Sequence, residues 1–158
     1  MRNHKNSNLL IRPNVFIEIK ARSGDQVSWI RGKNKVVDAG LNLMRDLLGG
    51  TGSRPSHLGV GTGSTAPAAA DSSIETEVFR ELITRRIDSP QSIRYQLYLG
   101  TGDANGFTLA EAGLLQTGAQ NASAGDPALL VARVTYTSFA KTSSIEVTYN
   151  WDFNLAAS

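Results

Sequence analysis

Hydrophobic and polar residues alternate along much of this chain, most regularly near its end. Over residues 143–155 the apolar side chains Ile145, Val147, Tyr149, Trp151, Phe153 and Leu155 take every second position. Glu146, Thr148, Asn150, Asp152 and Asn154 fill the positions between them. A period of two puts successive side chains on opposite faces, so the pattern predicts a long strand with Val147, Tyr149, Trp151 and Phe153 in the core. Val15, Ile17 and Ile19 alternate in the same way with Glu18 and Lys20. Ser23-Gly24-Asp25 is turn chemistry, and residues 26–32 return as a strand, which together predict a hairpin. Ile93, Tyr95, Leu97 and Leu99 alternate with Arg94, Gln96 and Tyr98, and residues 128–137 form a further β-rich run.

Residues 38–48 break the alternation. Leu41, Met44, Leu47 and Leu48 fall on one helical stripe, with Asp38 as a candidate N-cap and Gly49-Gly50 as a stop. A second short helix or turn is expected over residues 74–79, capped by Asp71 or Ser72. Short strands separated by Gly, Ser, Asn and Asp fit an antiparallel sandwich or barrel, not alternating β-α units. The predicted fold is therefore mainly β, with one short helix. Residues 1–13, too polar to form a core strand, are expected to be an extended arm, and residues 14–158 one sandwich domain.

Composition adds bounds. A chain of 158 residues, 41% hydrophobic and 19% charged, is that of one ordinary folded domain with a sizeable core. No apolar run reaches the length of a membrane span, and Leu9-Leu10-Ile11 is too short for a signal-peptide core. With no cysteine, disulfides and thiolate metal sites are excluded, and synthesis and assembly in a cytoplasm are expected. Charge is uneven: residues 1–45 hold nine Lys/Arg against three Asp/Glu, whereas the remainder holds seven against eleven. That asymmetry suggests a basic arm, through Arg2, Lys5 and Arg12, meeting an acidic surface.

The stretch HLGVGTGSTAP, residues 57–67, raises the question of a nucleotide, because Gly61–Ala66 fits the dinucleotide-binding pattern. That site needs a helix directly after the second glycine, and here the helix signal waits until about residue 71. No G-K-[ST] follows either. The same Gly-Thr-Gly recurs at 100–102 after another apolar strand. Gly61, Gly63, Gly100 and Gly102 are accordingly expected to be turn glycines using positive φ. No cofactor is expected. His57 stands beside the first loop, where packing is expected rather than ligand orientation.

Asp103, Asn105, Gly106 and Glu111 match a calcium loop only in part. Glu75, Glu77 and Glu81 could be paired acids for glycoside hydrolysis, but with Arg80 beside them they read more simply as an ion-pair set or solvated face. Arg22, Trp29, Arg31, Lys33 and Lys35 are too diffuse for a nucleic-acid site at a net charge of +2.

Taken in order, KVVDAGLNLMRDLLGG, HLGVGTGSTAP, ETEVFRELITRR, GDANGFTLAEAGLL and LLVARVTYTSFAKTSSIEVTYNW resemble a family of small virion proteins of tailed bacteriophages, over roughly residues 33–153. The resemblance implies a non-enzymatic, jelly-roll-like β-sandwich located in the virion and assembled in the bacterial host cytoplasm. It implies a capsid decoration (cement) protein clamping neighbouring major capsid subunits, or a tail, baseplate or fibre-adaptor component. It also implies a homo-oligomer, a trimer above all, without nucleic-acid or membrane partners. A carbohydrate-binding module stacking sugars on Tyr98 or Trp29 is a different class of reading, although Trp29 is expected to pack in the core.

Overall fold

The computed structural model describes residues 9–24 and 27–157. Ten strands and one helix follow in chain order: β1 Leu9–Ala21, β2 Val27–Arg31, β3 Lys33–Val36, α1 Asp38–Leu48, β4 His57–Gly61, β5 Glu77–Leu82, β6 Arg85–Ser89, β7 Ser92–Leu99, β8 Thr108–Gln116, β9 Leu129–Ala140 and β10 Ile145–Ala157. They form two five-stranded antiparallel sheets, β2-β1-β10-β7-β6 and β3-β9-β8-β4-β5, here called sheet A and sheet B. The chain closes as nested antiparallel pairs, β1 with β10, β3 with β9, β4 with β8 and β6 with β7. That is a jelly-roll-like wrapping of a β-sandwich.

The predicted C-terminal strand is β10, in the middle of sheet A. Val147, Tyr149, Trp151 and Phe153 are buried against Val15, Ile17, Leu97 and Leu99 of the same sheet and Leu58, Val60, Leu114 and Val134 of sheet B. Trp151 is fully buried and its Nε1 has no hydrogen-bond partner, so its contribution is packing alone. The β1–β2 hairpin forms as expected, with Ile17 opposite Ile30.

Three expectations are corrected and a fourth is narrowed. Strand β1 starts at Leu9, and Leu9 through Pro13 pair with Ala157 through Phe153, so residues 9–13 belong to sheet A and not to an arm. Pro13 fits because β2 pairs only with residues 16–20 of β1, leaving the chain at 13 without a neighbour on that side. Of the helix or turn expected over residues 74–79, the turn is found, at residues 75–76, and β5 starts directly after it. Helix α1 spans the expected residues, but Val37 is its N-cap and Asp38 sits in its first turn. Its buried residues are Gly40 and Leu43, whereas Leu41, Leu47 and Leu48 are exposed. Gly40 explains the rotation. A side chain there would run into the Val131 carbonyl of β9, so the helix lies on the sheet through its glycine.

Candidate functional site

The glycine run is a piece of sheet surface. Gly59 and Gly61, two residues apart in β4, share the outer face of sheet B, and Gly63, just past the end of the strand, lies against the same Glu111 carboxylate. Gly61 lies opposite Glu111 on β8, and Gly59 opposite Gly113, which in turn faces Arg133 on β9. None of Gly61, Gly63, Gly100 or Gly102 has positive φ; among glycines that conformation belongs to Gly24, Gly50, Gly106 and Gly125. Positive φ therefore explains none of the four; at Gly61 and Gly63 the reason is space, whereas Gly102 does lie in a turn, closed by the Asp103 amide on the Gly100 carbonyl, with open space around it. A side chain at 61 would meet the Thr76 carbonyl and the Glu111 carboxylate, and one at 63 the carboxylates of Glu111 and Glu75. Above Gly59 and Gly113 the missing side chains leave room for Ile74.

The group that needs this space is Glu111, which is wholly buried. Its carboxylate accepts hydrogen bonds from the amides of Gly63 (2.9 Å), Glu75 (3.0 Å) and Thr76 (2.7 Å), and from Arg133 Nε (2.8 Å). Arg133, also buried, donates to Asp71 (3.0 Å) and Glu75 (2.9 Å). One guanidinium thus holds three carboxylates, and one carboxylate pins both ends of the segment covering sheet B. For Asp71, burial acts to raise the pKa, but the Ala68 amide and Arg133 outweigh it and hold the carboxyl below its ordinary value. The hydroxyl and amide of Thr65, helped by Arg133, do the same for Glu75. Below this hub Tyr136 donates to the Glu111 carbonyl (2.9 Å), leaving its oxygen to accept from Tyr149 (2.8 Å).

The remaining candidates are also tied to structure. The Glu77 carboxylate makes a two-pronged pair with Arg80 (2.7 and 2.6 Å) and accepts from the Gly125 amide, while Arg80 donates to the Asp126 carbonyl. This pair fastens the loop before β9, and Glu81 stays exposed on β5. The calcium reading is overturned by Lys141. Its buried ammonium donates to the Gly100 carbonyl (2.9 Å), Asn105 Oδ1 (3.0 Å) and the Thr142 carbonyl (3.1 Å), so the chain supplies its own cation to that oxygen-lined loop. Glu111, turned into the Arg133 hub, is not part of it. His57 is buried; its Nε2 donates to the Gln120 carbonyl (3.1 Å), which leaves Nδ1 to accept from Ser56 Oγ (2.8 Å). Among the described residues no group of three or more His, Cys, Asp or Glu is placed to hold a metal ion.

The outer face of sheet A is different: among the described residues neither the helix nor a long loop covers it. Register places Trp29, Glu18, Thr148 and Tyr98 in one row across four strands, with aromatic rings at both ends. Trp29 is 61% exposed, which corrects its expected core position, and Tyr98 is 44% exposed. In the rows beside this one polar side chains hold one another. Gln96 donates to Asn150 (2.6 Å), Arg94 grips Asp152 through two bonds (2.6 and 2.7 Å), and Arg31 lies over the Phe16 ring at 4.7 Å. Arg12 is exposed on this face opposite Asn154; Arg2 and Lys5 lie outside the described residues. Around the edge, Ile11, Met44, Leu47, Pro55, Ile93 and Leu155 line an apolar furrow of about 220 Å³ between α1 and sheet A.

No family model, curated protein or solved structure matches this chain. Among the described residues no helix is long and apolar enough to cross a membrane.

Proposed function

We propose that this chain is a non-enzymatic structural protein of a tailed-bacteriophage virion, a capsid decoration protein that binds the head and clamps neighbouring major capsid subunits. The observation that carries the reading is the uncovered face of sheet A with Trp29 at its edge. A large exposed aromatic on a face of mutually fixed polar side chains is the kind of surface that partners cover. The sequence resemblance supports the virion setting, and the clefts that looked chemical in sequence are filled by the protein's own Arg133 and Lys141. On this reading the clamp is the sheet face together with the basic N-terminal segment, in a homotrimer.

The test uses phage heads and tails prepared without the protein, incubated with purified chain and pelleted. Saturable binding to heads, weakened by Trp29→Ala, is expected. Binding to tails alone would replace the clamp by the baseplate or fibre-adaptor role, and binding to neither would overturn the virion reading. Removing residues 2–8 separates the arm's contribution from the fold, whereas a deletion through Arg12 also takes away part of β1.

A second reading has its own observation. Trp29 and Tyr98 sit in one row, three strand spacings or about 14 Å apart. Flat aromatic rings flanking fixed amides and an Arg–Asp pair suit a short neutral oligosaccharide. A glycan array with wild type and Tyr98→Ala decides it: loss of a specific signal in the variant supports the module, and no signal from wild type removes it.

A further inference from the structure

Three of the chain's arginines are engaged within the fold's own ion pairs: Arg80 and Arg133 in buried ones and Arg94 on the outer face of sheet A. Three others meet at one cleft. Arg54, Arg85 and Arg86, with Thr84, Gln120 and the Tyr95 ring, line a space of about 410 Å³ at the open side of the sandwich, between β6 and the segment leading into β4. Arg86 lies opposite Tyr95 and Arg85 opposite Gln96, so the two straddle the edge of sheet A. Arg86 pairs with Asp88 at 2.8 Å, both groups being exposed. Among the described residues Arg54 and Arg85 take part in no salt bridge.

Two further features bear on what fits there. Burial pushes the Tyr95 phenol up, while Arg86 and then Arg54 act to lower it, so both guanidiniums lie close enough to influence that hydroxyl. Among the described residues the hydroxyl has no hydrogen-bond partner. Strand β6 is, among the described residues, the last strand of its sheet and is bonded on one side only, to β7. Its other backbone edge is open to an added extended chain.

We propose that this cleft docks an extended acidic segment of a protein partner, its backbone along the free edge of β6 and its carboxylates on Arg54, Arg85 and Arg86. Arginine forks match carboxylates in shape as well as charge, and lysines at the same places would serve less well. A free strand edge recognises polypeptide, which favours a peptide over an acidic sugar of equal charge. The inference concerns the isolated chain and stands or falls apart from binding to phage heads.

The probe is a labelled peptide of alternating Glu and Thr, about ten residues long so as to overrun the five residues of β6. Its Gln-Thr counterpart is the uncharged control. Fluorescence anisotropy with the full chain should give saturable binding of the acidic peptide only. The double variant Arg54→Gln/Arg86→Gln should bind about tenfold or more weakly, as expected for loss of charge-assisted forks. Lys33→Gln/Lys35→Gln on β3 should stay within about twofold, since those charges lie on the other sheet. Amide shifts on peptide addition should concentrate in residues 85–89. Equal affinity in the Arg54→Gln/Arg86→Gln variant, equal binding of the uncharged peptide, or tighter cleft-dependent binding of an oligogalacturonate would each overturn the proposal. All four substituted side chains are exposed, so unchanged melting temperatures are expected and checked alongside.

Discussion

The two sheets solve the same problem in opposite ways. Sheet A follows the usual economy of an antiparallel sheet, with one face on the core and one toward water, and its strands alternate accordingly. Sheet B is covered on both sides. Strand β8 is buried from Leu109 through Leu115, and all five residues of β4 are buried. Its outer layer is α1 on β9 and the segment from Thr62 to Thr76, which carries Ile74 onto Leu115 and Leu130. Covering a sheet face with irregular chain leaves that chain's amides in need of partners. Glu111 and Arg133 supply them from the sheet itself, and glycines clear the floor. The buried polar chemistry is thus the cost of the second cover, while sheet A, among the described residues, keeps an outer face without one.

Removing Glu111 should separate the sheets most sharply. Glu111→Ala strands three amides and one arm of Arg133 in a buried place, and breaking such a pair costs about 3–5 kcal/mol. Chemical denaturation should show this loss, and hydrogen exchange should show residues 62–76 opening before sheet A. If sheet A opened equally early, the two layers would be one cooperative unit and the comparison would fail. Acid gives a milder version. The folded pKa values of Asp71 and Glu75 lie below their unfolded values, so their stabilisation is present above the ordinary carboxylate range and lost as pH falls through the depressed values. A melting-temperature profile should therefore drop below about pH 4 and be flatter in Arg133→Met, provided that variant folds.

The same contrast decides what could be read from the residues alone. Strand β10 was legible because one wet face imposed alternation on Ile145 through Phe153. In β8 the hidden outer face carries Glu111 and Gly113 where a wet face would carry a run of polar residues, so no period shows and Glu111 read as a loose calcium ligand. Its partner Arg133 passed unremarked inside an apolar run. The usable signal was the spacing of Gly59 and Gly61, a strand face stripped of side chains and followed by Gly63, which local turn chemistry obscured. Helix α1 was legible in extent but not in orientation, since hydrophobic stripes assume that large side chains make the contact and here Gly40 does. Pro13 read as a boundary although β1 runs through it. Trp29 looked like core because aromatic residues usually are; only pairing with Glu18 shows which way it faces.

The two Gly-Thr-Gly copies offer the next smaller effect. Gly63→Ala should cost about 1–3 kcal/mol, because the added methyl meets the Glu111 and Glu75 carboxylates. Gly102→Ala has open space around it and ordinary φ, and should change stability by no more than about 0.5 kcal/mol. Equal losses from both would return the glycines to a common turn role.

On sheet A the corresponding pair is Asn150 and Trp29. Asn150 is buried on the outer face and accepts from Gln96, so Asn150→Ala should cost about 1 kcal/mol. Trp29→Ala should cost less still, within about 0.5 kcal/mol, although the same truncation at buried Trp151 should cost about 3–5 kcal/mol. The measurement is the denaturation midpoint of each variant over a range of protein concentrations. A residue that stability does not need, on a face that none of the described residues covers, leaves its apolar area in water unless a partner removes it. If Trp29→Ala lowers the midpoint only at high protein concentration, the partner is another copy of the chain, as the trimer would require. If it lowers the midpoint equally at every concentration, Trp29 stabilises its own subunit and sheet A has no free face for a partner to use.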